Sequence, residues 1–247
     1  MTREEFDRKD YNIRSGMVLV LNYKNFAVLN TDLADREGTD LDASVICQRF
    51  IKSELLNNPV DCFVLVILSH GTENGFYATD ELIPFTEIVT QFGASNCTQL
   101  RFKPKIIISQ CCRGDALSQG IPTTLVDENE ADAIADHTEY NQYVERMRAA
   151  QIINLPNEAD FLFSYATIPG GSAFRNVDWG TPFIRHLSEA MENMQINEDF
   201  LSVLTTVNKT VGMTYKPNIE QASLNNIVQM PSFVSQLTKT IRLKQGR

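Results

Sequence analysis

Three short runs of the chain are apolar at every position and end abruptly at polar residues: Met17–Leu21, Cys62–Leu68 and Ile106–Ile108. Runs of this length without alternation suit strands buried on both faces, as in the middle of a parallel sheet. Parallel strands need crossovers, and helical periodicity stands between the runs. Leu41, Val45, Ile46, Phe50 and Ile51 recur at close to 3.6 residues, with Thr39 or Asp40 as cap. Residues 77–82 read as a small surface excursion, after which Phe85, Ile88, Val89 and Phe92 stand at i, i+3, i+4 and i+7. Strand–helix alternation of this kind predicts an α/β fold around a parallel sheet. Ligands of such sheets bind just beyond the carboxyl ends of the strands. The residues delivered there are Arg36, then Ser69-His70-Gly71, then Gln110-Cys111-Cys112-Arg113-Gly114.

At 247 residues the whole chain fits one large α/β domain or two small ones. Residues 1–15 read as a loose polar arm. Residues 115 to about 157 interrupt the alternation with Gly120, Pro122 and an acidic cluster from Asp127 to Asp136. Then follow a fourth strand (160–166), two amphipathic helices (183–194 and 200–211) and a last, partly alternating strand (233–243). A net charge of -9 with no Lys/Arg run argues against nucleic acid and against an anionic membrane as partner. No apolar run reaches transmembrane length, and the charged N-terminus lacks a signal peptide's apolar core, so a cytoplasmic protein is expected. Five cysteines, two of them adjacent, make no disulfide framework. No CxxC pair or His/Cys cluster offers a metal site, and no cofactor is expected.

A lone free cysteine is most often a small buried hydrophobe, and Cys47, Cys62, Cys97 and Cys111 are read so, with His137 and His186 read as surface residues. Cys112 has more around it. With His70 at the end of a second parallel strand, it can lie within reach for the thiol–imidazole pair that nucleophilic catalysis needs. Gly71 lets backbone approach a substrate, so its N–H and that of Cys112 are candidate oxyanion donors. Arg36, Arg175 and Gln110 converge on the same crevice, and two guanidiniums with an amide suit a carboxylate. The chemistry read from the residues is a cysteine hydrolase that selects an acidic side chain.

At these residues the chain resembles the caspase family. Gln110-Cys111-Cys112-Arg113-Gly114 with an upstream Ser69-His70-Gly71 matches that family's signature. Arg36-Glu37-Gly38-Thr39-Asp40-Leu41-Asp42-Ala43 looks like its first substrate-arginine loop, and Arg175-Asn176 with Gly180 like its second. Lys103-Pro104-Lys105, Glu158–Leu162, Tyr165-Ala166-Thr167 with Pro169-Gly170, and Gln229-Met230-Pro231 with Leu237-Thr238-Lys239 follow in the expected order. The resemblance implies a mostly parallel central sheet flanked by helices. It also implies endoproteolysis after aspartate, in apoptosis or related signalling. Cys112 would be nucleophile, His70 base and acid, Gly71 and Cys112 the oxyanion donors, and Arg36, Gln110 and Arg175 the aspartate pocket. It divides the chain into an arm (1–16), a large-subunit-like region (17–127), a linker (128–157) and a small-subunit-like region (158–247). Asp127, Asp132 and Asp136 are the candidate processing sites of a zymogen. Partners are protein substrates cleaved after Asp, and a second copy or a caspase relative joined through the C-terminal strand.

The chain departs from the family in its specificity loop, where Ser172, Ala173, Phe174 and Pro182 replace the usual residues. It also starts without a death-type domain, which fits an effector form or an initiator without its prodomain. The largest departure is a shortage of about twenty residues near 50–57, beyond ordinary loop variation. The sheet is therefore expected to be one edge strand short of the usual six, with the first strand beside the next apolar one. Right-handed crossovers would then put the helix from Asp40 on the opposite face from its family place. This rearranged edge motivates the alternative function, a catalytically impaired chain that regulates an active relative by dimerisation.

Overall fold

The computed structural model describes residues 3–26, 33–50, 60–119, 155–195, 197–215 and 227–242. All its elements belong to one compact unit made of Met1–Gly120 and Asn157–Arg247, and the second unit, Ile121–Pro156, falls almost wholly outside the described residues. A short helix α1 (Arg3–Asp7) precedes strand β1 (Gly16–Asn22) and helix α2 (Thr39–Phe50). Strand β2 (Cys62–Leu68) leads into the small strands β3 (Gly71–Thr72), β4 (Gly75–Tyr77) and β5 (Leu82–Pro84), then helix α3 (Phe85–Phe92). Strands β6 (Lys105–Gln110), β7 (Ser118–Gln119) and β8 (Phe161–Tyr165) follow. Helices α4 (Pro182–Glu192) and α5 (Phe200–Thr214) and strands β9 (Ile227–Val228) and β10 (Ser232–Ser235) complete the order.

Among the described residues the central sheet has five strands in the order β1-β2-β6-β8-β10. The first four are parallel and β10 is antiparallel to β8. Every residue of β2 and β6 is buried, including Lys105, Ser109 and Gln110, which flank the apolar run Ile106–Ile108 of β6. Alternate side chains of β2 feed two cores. Val64, Val66 and Leu68 meet α2, α4 and α5 on one face. Phe63, Leu65 and Ile67 meet α3 on the other.

Four expectations need correction. The first strand is not buried on both faces: β1 is the sheet edge among the described residues, and Met17 and Leu19 are 42% and 43% exposed. Residues 3–15 are not a loose arm. Tyr11 and Ile13 join the first core, Tyr11 N–H donates to Thr240 O at 3.0 Å, and the Tyr11 hydroxyl donates to Asp160 Oδ1 at 2.7 Å. The expected surface excursion at 77–82 contributes to an ordered three-stranded sheet, β3-β4-β5. The last strand ends at Ser235, because beyond it the chain leaves β8 to bridge Asp10 and Asp199 through Thr240 and Arg242.

The sheet edge carries a topological consequence. β1→β2 and β2→β6 step the same way across the sheet between parallel neighbours. Their helices lie on opposite faces, α2 with Val64 and Val66 and α3 with Phe63 and Leu65. The two crossovers therefore have opposite hands, where right-handed connections are nearly universal. This is the conflict expected where the chain is short: with α2 beside α4 and α5 and α3 across the sheet, one of the two crossovers departs from the usual hand.

Candidate active site

The site grows from the carboxyl ends of β2 and β6, which lie level because Leu68 pairs with Gln110. Ser69 N–H donates to Gln110 O at 3.3 Å, and the chains then diverge to present His70 and Cys112. Gly71 wedges between them. A Cβ there would stand 2.7 Å from Cys112 O and 2.8 Å from Cys111 Cβ, so only glycine permits the approach. Cys111 points away from solvent into the second core, and burial pushes its thiol up to about 11. It packs, as expected of it.

His70 is half-buried. Its Nε2–H donates to Ala34 O at 2.8 Å, since a carbonyl can only accept, which leaves Nδ1 as the nitrogen able to take a proton. Burial lowers the imidazole pKa most; the Ala34 carbonyl opposes that, and the positive charges of Arg36 and Arg175 add to it. No hydrogen bond joins His70 to Cys112. The thiol is engaged instead by the loop after β8: Ala173 N–H donates to Cys112 Sγ at 3.3 Å, and Sγ–H lies 3.6 Å from Ala173 O.

The two arginines arrive from segments far apart in sequence. Arg36 is only 1% exposed, and its guanidinium donates to Thr39 Oγ1 at 2.8 Å and Tyr23 O at 3.2 Å. Burial, then the neighbouring Arg175, lowers its pKa to about 10. Arg175 is lowered too, chiefly by burial. Its Nε–H donates to Glu37 O at 2.8 Å, so the second loop is bolted to the backbone of the first. Gln110 is buried at the end of β6, and its Oε1 has no partner. Two neighbouring like charges, one buried and one half-buried, at the strand end that also holds an unpaired amide oxygen form a site short of an anion and a donor.

Behind the thiol, Gly114 (φ 144°) is pressed against Gly170, and residues 113–116 exchange backbone hydrogen bonds with residues 170–172. Arg113 lies over the Tyr165 ring at 4.1 Å. Gln229, buried, spans Ala166 O and Phe174 N–H and so carries the loop that holds Arg175. Thus the structure gathers Arg36, His70, Gly71, Gln110, Cys112 and Arg175 at one end of the sheet. Asp127, Asp132, Asp136 and His137 lie outside the described residues, as does the side chain of Cys47. His186, expected on the surface, is mostly covered and pairs with Glu189 at 2.8 Å. Sequence reasoning missed the Ala34 carbonyl, which no side chain announces. It read Thr39 as a cap and as part of the arginine loop, and gave Asp42 of that loop no role of its own.

The family model described as Caspase domain matches residues 51–242. The chain belongs to the caspase family. The family model begins after α2, so β1, Arg36 and the rearranged edge lie outside the matched span. Caspase-3 of Oryctolagus cuniculus is 30% identical over 249 residues, covering 92% of this chain and 83% of the relative. Caspase-7 of Gallus gallus is 28% identical over 249 residues, covering 92% and 76%. The crystal structure of caspase-1 from Spodoptera frugiperda shares the fold with a TM-score of 0.77 at 24% identity, covering 97% of each chain. Family membership makes this chain a cysteine-type endopeptidase on a caspase fold. Among the described residues no helix is long and apolar enough to cross a membrane.

Proposed function

We propose that the chain hydrolyses peptide bonds after aspartate, with Cys112 as nucleophile and His70 as base and acid. The observation that carries this reading is a pair of guanidiniums, buried Arg36 and half-buried Arg175, at the end of the sheet that holds the Cys112 thiol and the unpaired Gln110 amide oxygen. A substrate carboxylate entering there relieves the repulsion between the arginines and accepts from planar forks. A protonated partner for Gln110 Oε1 is supplied by the substrate or by water.

The chemistry then runs in two acyl-transfer steps. His70 Nδ1 takes the Cys112 proton as Sγ attacks the carbonyl carbon, and the N–H groups of Gly71 and Cys112 hold the oxyanion. The imidazolium returns its proton to the leaving amine. Water, deprotonated by the same nitrogen, cleaves the thioester and releases the aspartate-terminated acid. For substrate to enter, Sγ exchanges its contact with the Ala173 backbone for the scissile carbonyl.

The family relationship supports a wider setting. The chain acts in the cytoplasm in apoptosis or related proteolytic signalling, and is made as a zymogen with a large-subunit-like region (17–127), a linker (128–157) and a small-subunit-like region (158–247). Processing falls at Asp127, Asp132 or Asp136. Its antiparallel edge strand β10, where Val234 is half exposed, is the surface for a second copy or a caspase relative.

A second reading is favoured by the opposite-handed crossover at β1–α2–β2. In it the chain turns over poorly and regulates an active relative through β10. One assay separates the two. The chain and a Cys112→Ala variant are incubated, alone and forced to dimerise, with matched peptides ending in Asp or Asn. Cys112-dependent release from the Asp peptide alone supports the enzyme; no release even when dimerised supports the regulator.

A further inference from the structure

The segment between β1 and Arg36 makes a structure that the dyad chemistry leaves unexplained. Residues 24–26 and 34–36 close on each other through two bonds. Arg36 N–H donates to Lys24 O at 2.9 Å, and Phe26 N–H donates to the Asp35 carboxylate at 2.9 Å. This clasp carries two groups to His70. Ala34 O receives Nε2–H on the ring edge. The Phe26 ring, wholly buried, packs against the imidazole with centroids 4.9 Å apart and planes at 69°. An edge-to-face contact of that kind fixes a ring's rotation as well as its place. Asp35 itself is exposed, touches neither His70 nor Cys112 by any hydrogen bond, and spends its carboxylate on a backbone N–H.

We propose that Asp35 and Phe26 are positioning residues for His70: the Asp35 carboxylate locks the Phe26 backbone, and the Phe26 ring with the Ala34 carbonyl holds the imidazole so that Nδ1 faces Cys112. This rests on the reading of His70 as the proton-moving group. Misplacement of a reacting group by about 1 Å costs on the order of 100-fold in rate, and a loosened rather than displaced ring costs less.

The test uses the full chain and two readouts. In the first, kcat and KM are measured on an Asp-terminated fluorogenic peptide for Asp35→Ala, Asp35→Asn and Phe26→Leu. The expected result is a kcat lower by about tenfold in Asp35→Ala and Phe26→Leu, with KM within about twofold. Asp35→Asn, whose amide oxygen still accepts from Phe26 N–H, returns to within about twofold of the parent. In the second, the His70 ring resonances are followed by NMR in a Cys112→Ala background, assigned with His70→Asn. This needs no turnover, so it judges the clasp even where the chain proves inactive. Restricted ring signals should become averaged in Asp35→Ala and Phe26→Leu and stay as in the parent in Asp35→Asn. The proposal is overturned by unchanged kcat and ring signals in Asp35→Ala. It is equally overturned by Asp35→Asn behaving like Asp35→Ala, which would make the charge the agent, or by a rise in KM alone, which would place the effect at Arg36. Should Phe26→Leu lose its fold on thermal melting, the Asp35 pair decides alone.

Discussion

Asp42 of α2 accepts two hydrogen bonds from Thr181, one from its N–H at 2.8 Å and one from its hydroxyl at 3.1 Å. Thr181 in turn caps α4, its Oγ1 accepting from Ile184 N–H at 3.4 Å. This pair closes a zipper that starts at Arg175 Nε–H on Glu37 O and passes the close approach of Gly38 to Val177, where a Cβ would come within 2.9 Å of backbone. The segments carrying the two arginines are thereby one rigid piece. Asp42→Ala removes an acceptor and strands two buried donors, a loss of about 2–4 kcal/mol by the cost of such groups. Urea unfolding should show it, and KM for Asp-terminated peptides should rise more than kcat falls.

Gly71→Ala tests the wedge between the strand ends. Its Cβ would meet Cys112 O and Cys111 Cβ inside 3 Å, and the Cys112 carbonyl cannot yield without moving the thiol. We expect a loss of about 100-fold or more in kcat, while far-UV circular dichroism and the melting profile change little. Retained kcat would show that the strand ends have slack.

The acid limb of the pH profile follows from His70. A base must be neutral, so activity is present above the folded imidazole pKa and lost as pH falls through it. Burial first, and then Arg36 and Arg175, put that pKa below the ordinary 6.5 against the pull of Ala34 O. The acid midpoint of kcat/KM, which reports the free enzyme, should therefore fall below 6.5. In Arg175→Gln the rate drops but the midpoint moves up. A parent midpoint at or above 6.5 would contradict this account.

Tyr11→Phe asks whether the N-terminal arm contributes to stability. The hydroxyl lost is donated to Asp160, a buried carboxylate that also accepts from Thr238 Oγ1 at 2.6 Å and whose Oδ2 has no partner. Loss of a hydrogen bond to a charged buried group costs about 1.5–3 kcal/mol. The denaturation midpoint should drop by that measure with kcat unchanged at room temperature. A loose arm would give no change.

The centre of the fold was legible because β2 and β6 have a single reading: seven and six residues, all buried. The residues at their ends, His70 and Cys112, were legible for the same reason. The periphery was not. An edge strand and a central one can share the run Met17–Leu21, since apolarity alone does not say how many neighbours a strand has. Tyr11 hid in a polar arm because one deep hydroxyl bond and one aromatic ring leave no periodicity. Asp42 looked like any acid in the first turn of a helix. Ala34 acts through a carbonyl that every residue possesses.

β6 and β8 lie side by side in parallel register, Ile106 against Leu162 and Ile108 against Ser164, although the chain between them is long. Their pairing, and the Arg36–Asp42 to Arg175–Thr181 zipper, owe nothing to the peptide bonds that connect residue 119 to residue 157. Residues up to 119 and residues from 157 onward should therefore behave as complementing fragments. Cut anywhere in that interval, the two pieces keep a shared hydrophobic core and should sediment and melt together. Co-expressed as separate chains, neither should be soluble without the other.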